Sequence, residues 1–152
     1  MSPDSTRLVS IDEVEPNRRR GGDVRTLLSP KTVGSTSGFS GAVRLLPGER
    51  VAEHYHPYSE EFLFLVRGSI MVDLDDEPTA LGEGDALFIP IGVRHRLRNT
   101  GNAEAFAVFH LGPLAPRPEL GHVDTEGPDA TAPPRDTTAV GPAATPGSQL
   151  GG

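Results

Sequence analysis

The side chains best suited to chemistry in this sequence are three histidines and a glutamate. Neutral imidazoles and a carboxylate form a nitrogen and oxygen donor set, and with no sulfur it suits Zn, Fe, Mn, Ni or Co. We therefore predict that one divalent metal ion per chain is held by His54, His56, Glu61 and His95.

Local spacing favours this grouping. Alternate side chains of a β-strand point to the same face, so His54 and His56 can present two imidazoles to one ion. The next four residues, 57–60, have the composition of a turn, which would return Glu61 to the histidines at the start of the next strand. His95 also follows a turn, Pro90-Ile91-Gly92, and begins a strand. A lone His-x-His pair is common without a metal, so these four residues are a hypothesis at this point.

The elements around these residues read as β-strands. Short apolar runs alternate with turn residues, a pattern typical of an all-β sandwich or barrel. A single short helix is predicted near residues 10–15. The predicted strands are Val24–Leu28, Gly41–Leu46, Phe62–Val66, Ser69–Leu74, Ala86–Ile89, His95–Asn99 and Ala105–Leu111.

The run Phe62–Val66 is apolar at every position. A strand of this kind is covered on both faces, so one face would line a barrel and the other would meet a second layer or another subunit. Together with the exposed edges of a small β-barrel, this predicts a homodimer.

Composition divides the 152-residue chain into two parts. The segment 125–152 has no aromatic residue and is rich in Pro, Gly, Ala and Thr, so it cannot bury enough apolar surface to offset its ordering entropy. We predict one β-barrel domain over residues 5–122 and a disordered tail over 123–152.

Charge and residue usage exclude several classes of partner. The net charge of −7 argues against nucleic acid, which requires a positive field, and the run Arg18–Arg20 is predicted to be a solvated loop. No apolar run approaches membrane-spanning length, so no membrane partner is expected. The absence of cysteine and of an N-terminal signal-type stretch fits a cytoplasmic protein.

Ten positions around the candidate ligands resemble the two sequence motifs of the cupin family. Five residues separate Gly48 from His54, four separate His56 from Glu61, and six separate Glu61 from Gly68. The second motif has Gly84, Pro90, Gly92, His95 and Asn99 at the family spacing. The resemblance implies a single-domain double-stranded β-helix, or jelly-roll barrel, and the four-ligand metal site. It also selects Glu61 over the neighbouring Glu60, because only Glu61 leaves six residues before the closing glycine.

Flanking segments resemble cupins of bacterial aromatic polyketide pathways, of the resistomycin and tetracenomycin cyclase kind. The similar segments are 14–23, 54–61 and 110–122. This resemblance implies a metal-dependent polyketide cyclase that directs aldol-type ring closure of a poly-β-ketone, with synthase components as further candidate partners. Zinc is favoured because such a cyclisation requires a Lewis acid and no redox change.

His110 is the candidate catalytic residue. If Thr100-Gly101 were a two-residue hairpin turn, His110 would share the metal-facing side and could act as a general base; with a three-residue turn it would face outward. Arg94, Arg96 and Arg98 are expected to form an outward stripe, either solvated or in a dimer contact. His122 is expected to be structural or solvated.

The ligand set leaves two other functions open. One is a mono- or dioxygenase that uses a redox metal on an aromatic polyketide. The other is a non-catalytic cupin that binds a small molecule.

Overall fold

The computed structural model describes residues 7–126, and these form ten β-strands and very little helix. No helix among the described residues is long and apolar enough to cross a membrane. A four-residue helix α1 spans Pro30–Val33, and the helix predicted near residues 10–15 is a single 3₁₀ turn, Ile11–Glu13. The strands are β1 Asp23–Leu28, β2 Phe39–Leu45, β3 Arg50–Tyr55, β4 Glu60–Arg67, β5 Ile70–Leu74, β6 Glu77–Leu81, β7 Ala86–Ile89, β8 His95–Arg98, β9 Ala105–Gly112 and β10 Val123–Asp124.

The strands form two five-stranded antiparallel sheets, which confirms the predicted all-β jelly roll. Sheet A has the order β1-β2-β9-β4-β7, and sheet B has the order β10-β3-β8-β5-β6. The predicted hairpin between β8 and β9 is wrong, because β8 pairs with β3 and β5 whereas β9 pairs with β2 and β4. The side chain of Asn99 helps the chain to change sheets, since its Nδ2 donates to the carbonyl oxygens of Leu45 and Ala103.

Inward-facing aliphatic and aromatic side chains from both sheets fill the space between them. Leu45, Leu63, Leu65, Val72 and Leu111 are almost fully buried, and each contributes about 1.5–3 kcal/mol of hydrophobic stabilisation. This core extends along the barrel to the end where β4 and β8 begin, because Leu111 is paired with Glu61 near the start of β4. At that end the interior also holds buried polar side chains, those of His54, His56, Glu61 and His95.

The outer face of sheet A is apolar and uncovered among the described residues. Along β4, Leu63 and Leu65 point inward, whereas Phe62 and Phe64 point outward and are 47% and 42% exposed. Phe88 on β7 and Val108 on β9 continue the same exposed face. Among the described residues, β4 is thus covered on one face only.

The outer face of sheet B is polar and satisfied by the chain itself. Asp73 accepts hydrogen bonds from both Arg96 and Arg98, and Arg96 also donates to Glu126. Arg94 donates to Glu53 at 3.0 Å. The expectation of a solvated or intersubunit arginine stripe is therefore wrong for Arg96, which is 7% exposed and held by carboxylates of its own chain.

The domain extends past the boundary predicted at His122. β10 pairs with β3, Thr125 donates from Oγ1 to Glu53, and the carboxylate of Glu126 is buried against Arg96. Composition predicts that residues 123–126 belong to the tail, whereas the hydrogen bonds and ion pairs that fix them join residues far apart in sequence. The rest of the predicted tail, 127–152, lies outside the described residues, as do residues 5 and 6 of the predicted domain.

A substitution at Glu126 tests this boundary. Burial raises the pKa of the Glu126 carboxyl. Hydrogen bonds from Arg96 and from the backbone of Glu53 lower this pKa by a larger amount, so the net shift is downward. The carboxylate therefore stabilises the fold above the unfolded-state pKa of about 4.3, and this stabilisation is lost as pH falls through the lower folded-state value.

We expect Glu126→Gln to lower the free energy of unfolding by about 1.5–3 kcal/mol at pH 7, measured by urea denaturation. The difference from the wild type should shrink as pH falls below about 4. Glu119→Gln is the matched control, because Glu119 pairs only with the exposed Arg117. Equal midpoints for Glu126→Gln and Glu119→Gln would show that residue 126 is not part of the folded domain.

Candidate metal centre

Three strands bring the candidate ligands to one end of the barrel. His54 lies near the end of β3 and is paired directly with His95, the first residue of β8. His56 is the residue immediately after β3, and Glu61 is the second residue of β4 on the opposing sheet. All four side chains are buried, between 1% and 6% exposed.

The donor atoms converge closely. One ring nitrogen from each of His54, His56 and His95 lies within 4.8 Å of the other two. Glu61 Oε1 lies 3.3 Å from His56 Nε2 and 3.1 Å from His95 Nε2. The structure therefore brings together all four residues that the sequence analysis selected.

Backbone carbonyls set the direction of each imidazole. A carbonyl oxygen can only accept a hydrogen bond, so each Nδ1 must donate and each neutral ring must direct the lone pair of Nε2 toward the other rings. The pairs are His54 with Ala52 at 2.8 Å, His95 with Val93 at 3.0 Å, and His56 with Gly121 at 3.0 Å.

The result is a cluster of buried acceptors without donors. The three Nε2 atoms and Glu61 Oε1 are inaccessible to solvent and lack a hydrogen-bond partner among residues 7–126. Lone pairs that face one another at about 3 Å repel unless a proton or a metal cation lies between them. The residues present therefore fit a divalent metal ion, and His54, His56, His95 and Glu61 can hold it.

The pKa values in the cluster follow from burial and from the single carboxylate. Burial, with the neighbouring His95, His56 and Arg20, lowers the pKa of His54 well below its usual value. Burial also lowers the pKa of His56, although Glu61 partly opposes the shift. Burial disfavours charge on Glu61 and His95, yet their contact outweighs it, so the pKa of Glu61 is lowered and that of His95 is raised. Metals bind ionised carboxylates and neutral imidazoles, so an ion at this site would displace the proton that Glu61 favours on His95.

Glu60 is only partly buried, and the alternating pattern of β4 places it on the side opposite to Glu61.

His110 lies on the outer face of sheet A, where its ring packs 5.9 Å from the ring of Phe62. The expectation that His110 shares the metal-facing side is thus not met, because β8 and β9 do not form a hairpin. The inward positions of β9 are Ala105, Ala107, Phe109 and Leu111.

Sequence reasoning missed a second polar group beside the cluster. The ring of His122 is 1% exposed and lies 6.1 Å from that of His54 and 6.4 Å from that of His56. Arg20 donates from Nη2 to His122 Nδ1 at 3.1 Å and from Nε to Asp124 at 2.9 Å. Burial, together with the charge of Arg20, lowers the pKa of His122 to about 3, so the ring is neutral near pH 7.

These positions correct one expectation and decide between the two alternatives of another. Arg20 is buried, so the run Arg18–Arg20 is not simply a solvated loop. His122 is structural rather than solvated. The short return strand β10, which places Asp124 opposite His54, carries no sequence signal strong enough to reveal the group.

The Cupin domain family model matches residues 41–110, the span that contains all four candidate ligands. Two curated relatives extend the match over most of the chain. "Polyketide synthase CurC" of Streptomyces cyaneus is 62% identical over 80% of this chain and 79% of its own length. The chain is a cupin. "Tetracenomycin polyketide synthase protein TcmJ" of Streptomyces glaucescens is 51% identical over 84% of this cupin and 87% of its own length.

A solved structure shows the same fold in a more distant protein. The uncharacterized conserved protein with a double-stranded β-helix domain from Klebsiella pneumoniae superposes with a TM-score of 0.64 at 20% sequence identity. The match covers 80% of this cupin and 98% of that chain. The predicted cupin fold and the resemblance to polyketide-pathway cupins are both confirmed.

The ligand assignment predicts how metal content responds to substitution. Glu61→Gln and His95→Ala should each lower the affinity for Zn²⁺ by more than about 100-fold, because loss of a ligand costs more than loss of an outer partner. Elemental analysis should find about one metal ion per wild-type chain. Glu60→Gln is the matched control and should retain the metal; equal metal content in Glu60→Gln and Glu61→Gln would reject Glu61 as a ligand.

Proposed function

We propose that this cupin is a metal-dependent polyketide cyclase that directs aldol-type ring closure of a poly-β-ketone. The observation that carries the proposal is the 51–62% identity, over most of the chain, to proteins named as polyketide synthase proteins. The cluster of His54, His56, Glu61 and His95 supports metal dependence, because it joins four unpartnered acceptors in a dry site.

The ion that we propose is zinc, because closing a carbon ring on a poly-β-ketone requires no change of redox state. Such an ion, when bound, supplies Lewis acidity that polarises a carbonyl group or stabilises an enolate oxygen. The chain's own contribution is to hold the three imidazoles and the carboxylate in fixed directions, which the Nδ1 hydrogen bonds do before any substrate arrives.

The surroundings of the ligands exclude water. The interior space beside His54, Glu61 and His95 is lined otherwise by aliphatic residues and Phe109. Poly-β-ketones close spontaneously in water into several ring patterns, so keeping bulk water away from the reacting carbonyl groups would favour directed closure over shunt reactions.

We also propose that the cupin acts as a homodimer in the cytoplasm, joined through the outer face of sheet A. An apolar groove of about 690 Å³ crosses this face, lined by Phe62, Phe64, Phe88 and Val108 among others. Exposed aromatic patches of this kind are typical of interface cores, and a stable dimer buries about 800 Å² on each partner. In a two-fold symmetric dimer the same face of both copies meets, so each apolar face would be covered by the other. Components of the synthase are candidate partners for the remaining surface.

The cyclisation proposal is tested by co-expression with a minimal polyketide synthase, followed by assays with purified protein. We expect the ratio of the directed ring pattern to shunt products to collapse after chelation of the metal and in His54→Ala. The ratio should be unchanged without oxygen. His110→Ala should not show the roughly 10²–10⁴-fold loss expected for a general base, because its ring lies on the outer face.

Three outcomes would contradict this proposal. A ratio that survives chelation would reject the Lewis-acid role of the metal. A ratio that collapses after chelation and also collapses without oxygen would favour an oxygenase that uses a redox metal. A wild-type protein that never changes the ratio, while still binding metal, would favour a non-catalytic cupin.

The dimer proposal is tested by Phe64→Glu. A carboxylate at the centre of the apolar face should leave the protein with the mass of one chain, 16.1 kDa, in light scattering, whereas the wild type should have twice that mass. Leu46→Glu is the control, because Leu46 is also exposed but lies on a turn at the end of the barrel opposite to the candidate metal ligands. A wild-type monomer, or a dimer that tolerates Phe64→Glu, would refute the interface.

A further inference from the structure

The metal end of the barrel is crossed by a segment that we call the lid, residues 113–121. The lid leaves sheet A at the end of β9 and reaches sheet B at β10, so it spans the gap between the sheets. It crosses at the level of the ligands, because Leu111 is paired with both Phe39 and Glu61, and Asp124 is paired with His54.

Hydrogen bonds fasten the lid at both ends. Ser59 Oγ donates to the carbonyl of Pro113 at the start of the lid. At its other end, the carbonyl of Gly121 accepts from His56 Nδ1, and the adjacent His122 accepts from Arg20. His54 and His95 are aimed by carbonyls two residues away in their own segments, whereas His56 is aimed by a carbonyl 65 residues away, on the lid.

The lid also determines where a substrate can be accommodated. The interior space beside the ligands has a volume of only about 20 Å³, enough for about one water molecule. Beneath the lid lies a larger cavity of about 270 Å³, near the lower limit of typical small-molecule sites. Its lining is almost entirely apolar and includes Phe39, Leu114, Ala115, Pro116 and Gly121.

We propose that the cavity beneath the lid is the subsite that receives the apolar carbon skeleton of the substrate, and that Gly121 couples occupancy of this subsite to the metal centre. The class of ligand, a flat carbon skeleton that carries a β-diketone, rests on the proposed function. The coupling follows from Gly121 itself, which both lines the cavity and accepts the hydrogen bond that orients His56. By linkage, a molecule that stabilises the closed lid strengthens the hold of His56 on the metal, and the metal favours the closed lid by the same factor.

The subsite is tested with two probes on the full-length, zinc-loaded protein: 1-(2-naphthyl)butane-1,3-dione, and acetylacetone, which has the β-diketone but no ring. Ala115→Phe fills the cavity and should weaken binding of the naphthyl probe by about tenfold or more in calorimetry, with acetylacetone unchanged. Ala115→Val should have a smaller effect in the same direction. Ala103→Phe is the matched control, because Ala103 is exposed in the loop at the opposite end of the barrel.

A second measurement does not depend on substitution. Binding of the naphthyl probe, and separately of Zn²⁺, should slow hydrogen exchange of the lid amides Leu120 and Gly121, which donate to Arg117 and Pro118. The β5–β6 hairpin, residues 70–81, should be unaffected by the probe.

Several results would overturn the subsite. The first is that Ala115→Phe and the wild type bind the naphthyl probe with equal affinity. The second is that Ala115→Phe loses affinity for both probes equally. The third is that neither the probe nor Zn²⁺ changes the hydrogen-exchange rate of the lid amides. None of these measurements uses cyclisation, so the two proposals fail separately. Selective loss of the naphthyl probe in a protein without cyclase activity would retain the subsite and reject the cyclase.

Discussion

The convergence of four buried lone pairs is the constraint on which the functional end of this cupin depends. Three Nε2 atoms and one carboxylate oxygen face one another without an intervening donor. In water such groups would be solvated, but here the barrel excludes water, and the low local dielectric makes their repulsion larger. A cation at the centre removes the repulsion, so the fold maintains an arrangement that favours metal binding over the metal-free state.

The means of holding this arrangement differ between the ligands. His54 and His95 are fixed within their own segments, by backbone carbonyls that form part of the sheet edge and its turn. His56 is fixed from outside, by a segment that closes the barrel after β9. The carbonyl that orients His56 therefore belongs to the lid, and the group formed by Arg20, His122 and Asp124 lies at the end of that lid.

The outer faces of the two sheets differ in whether their side chains have partners among the described residues. On sheet B, carboxylates and guanidinium groups satisfy one another, and Glu126 covers them, so this face needs no external partner. On sheet A, Phe62, Phe64 and Phe88 remain accessible. Covering these aromatic side chains would release ordered water at little conformational cost, since they are already fixed on strands. Sheet A, rather than sheet B, therefore has the exposed apolar face that the proposed homodimer requires.

The sequence by itself determined the fold class, most of the strands and the four residues of the candidate metal centre. Strand periodicity places His54 and His56 at a spacing suited to one ion, and the motif spacing selects Glu61 over Glu60, because these are local properties or fixed intervals along the chain. Only the tertiary structure decided which residues surround that centre. His110 faces outward because β8 and β9 belong to different sheets, and no local pattern reports which strands will pair. Arg20, Gly121, His122 and Glu126 were likewise not predicted, since their partners lie between 30 and 104 residues away in the chain. Hydrogen bonds and ion pairs of this kind depend on three-dimensional proximity, which the order of the residues does not express until the sheets have formed.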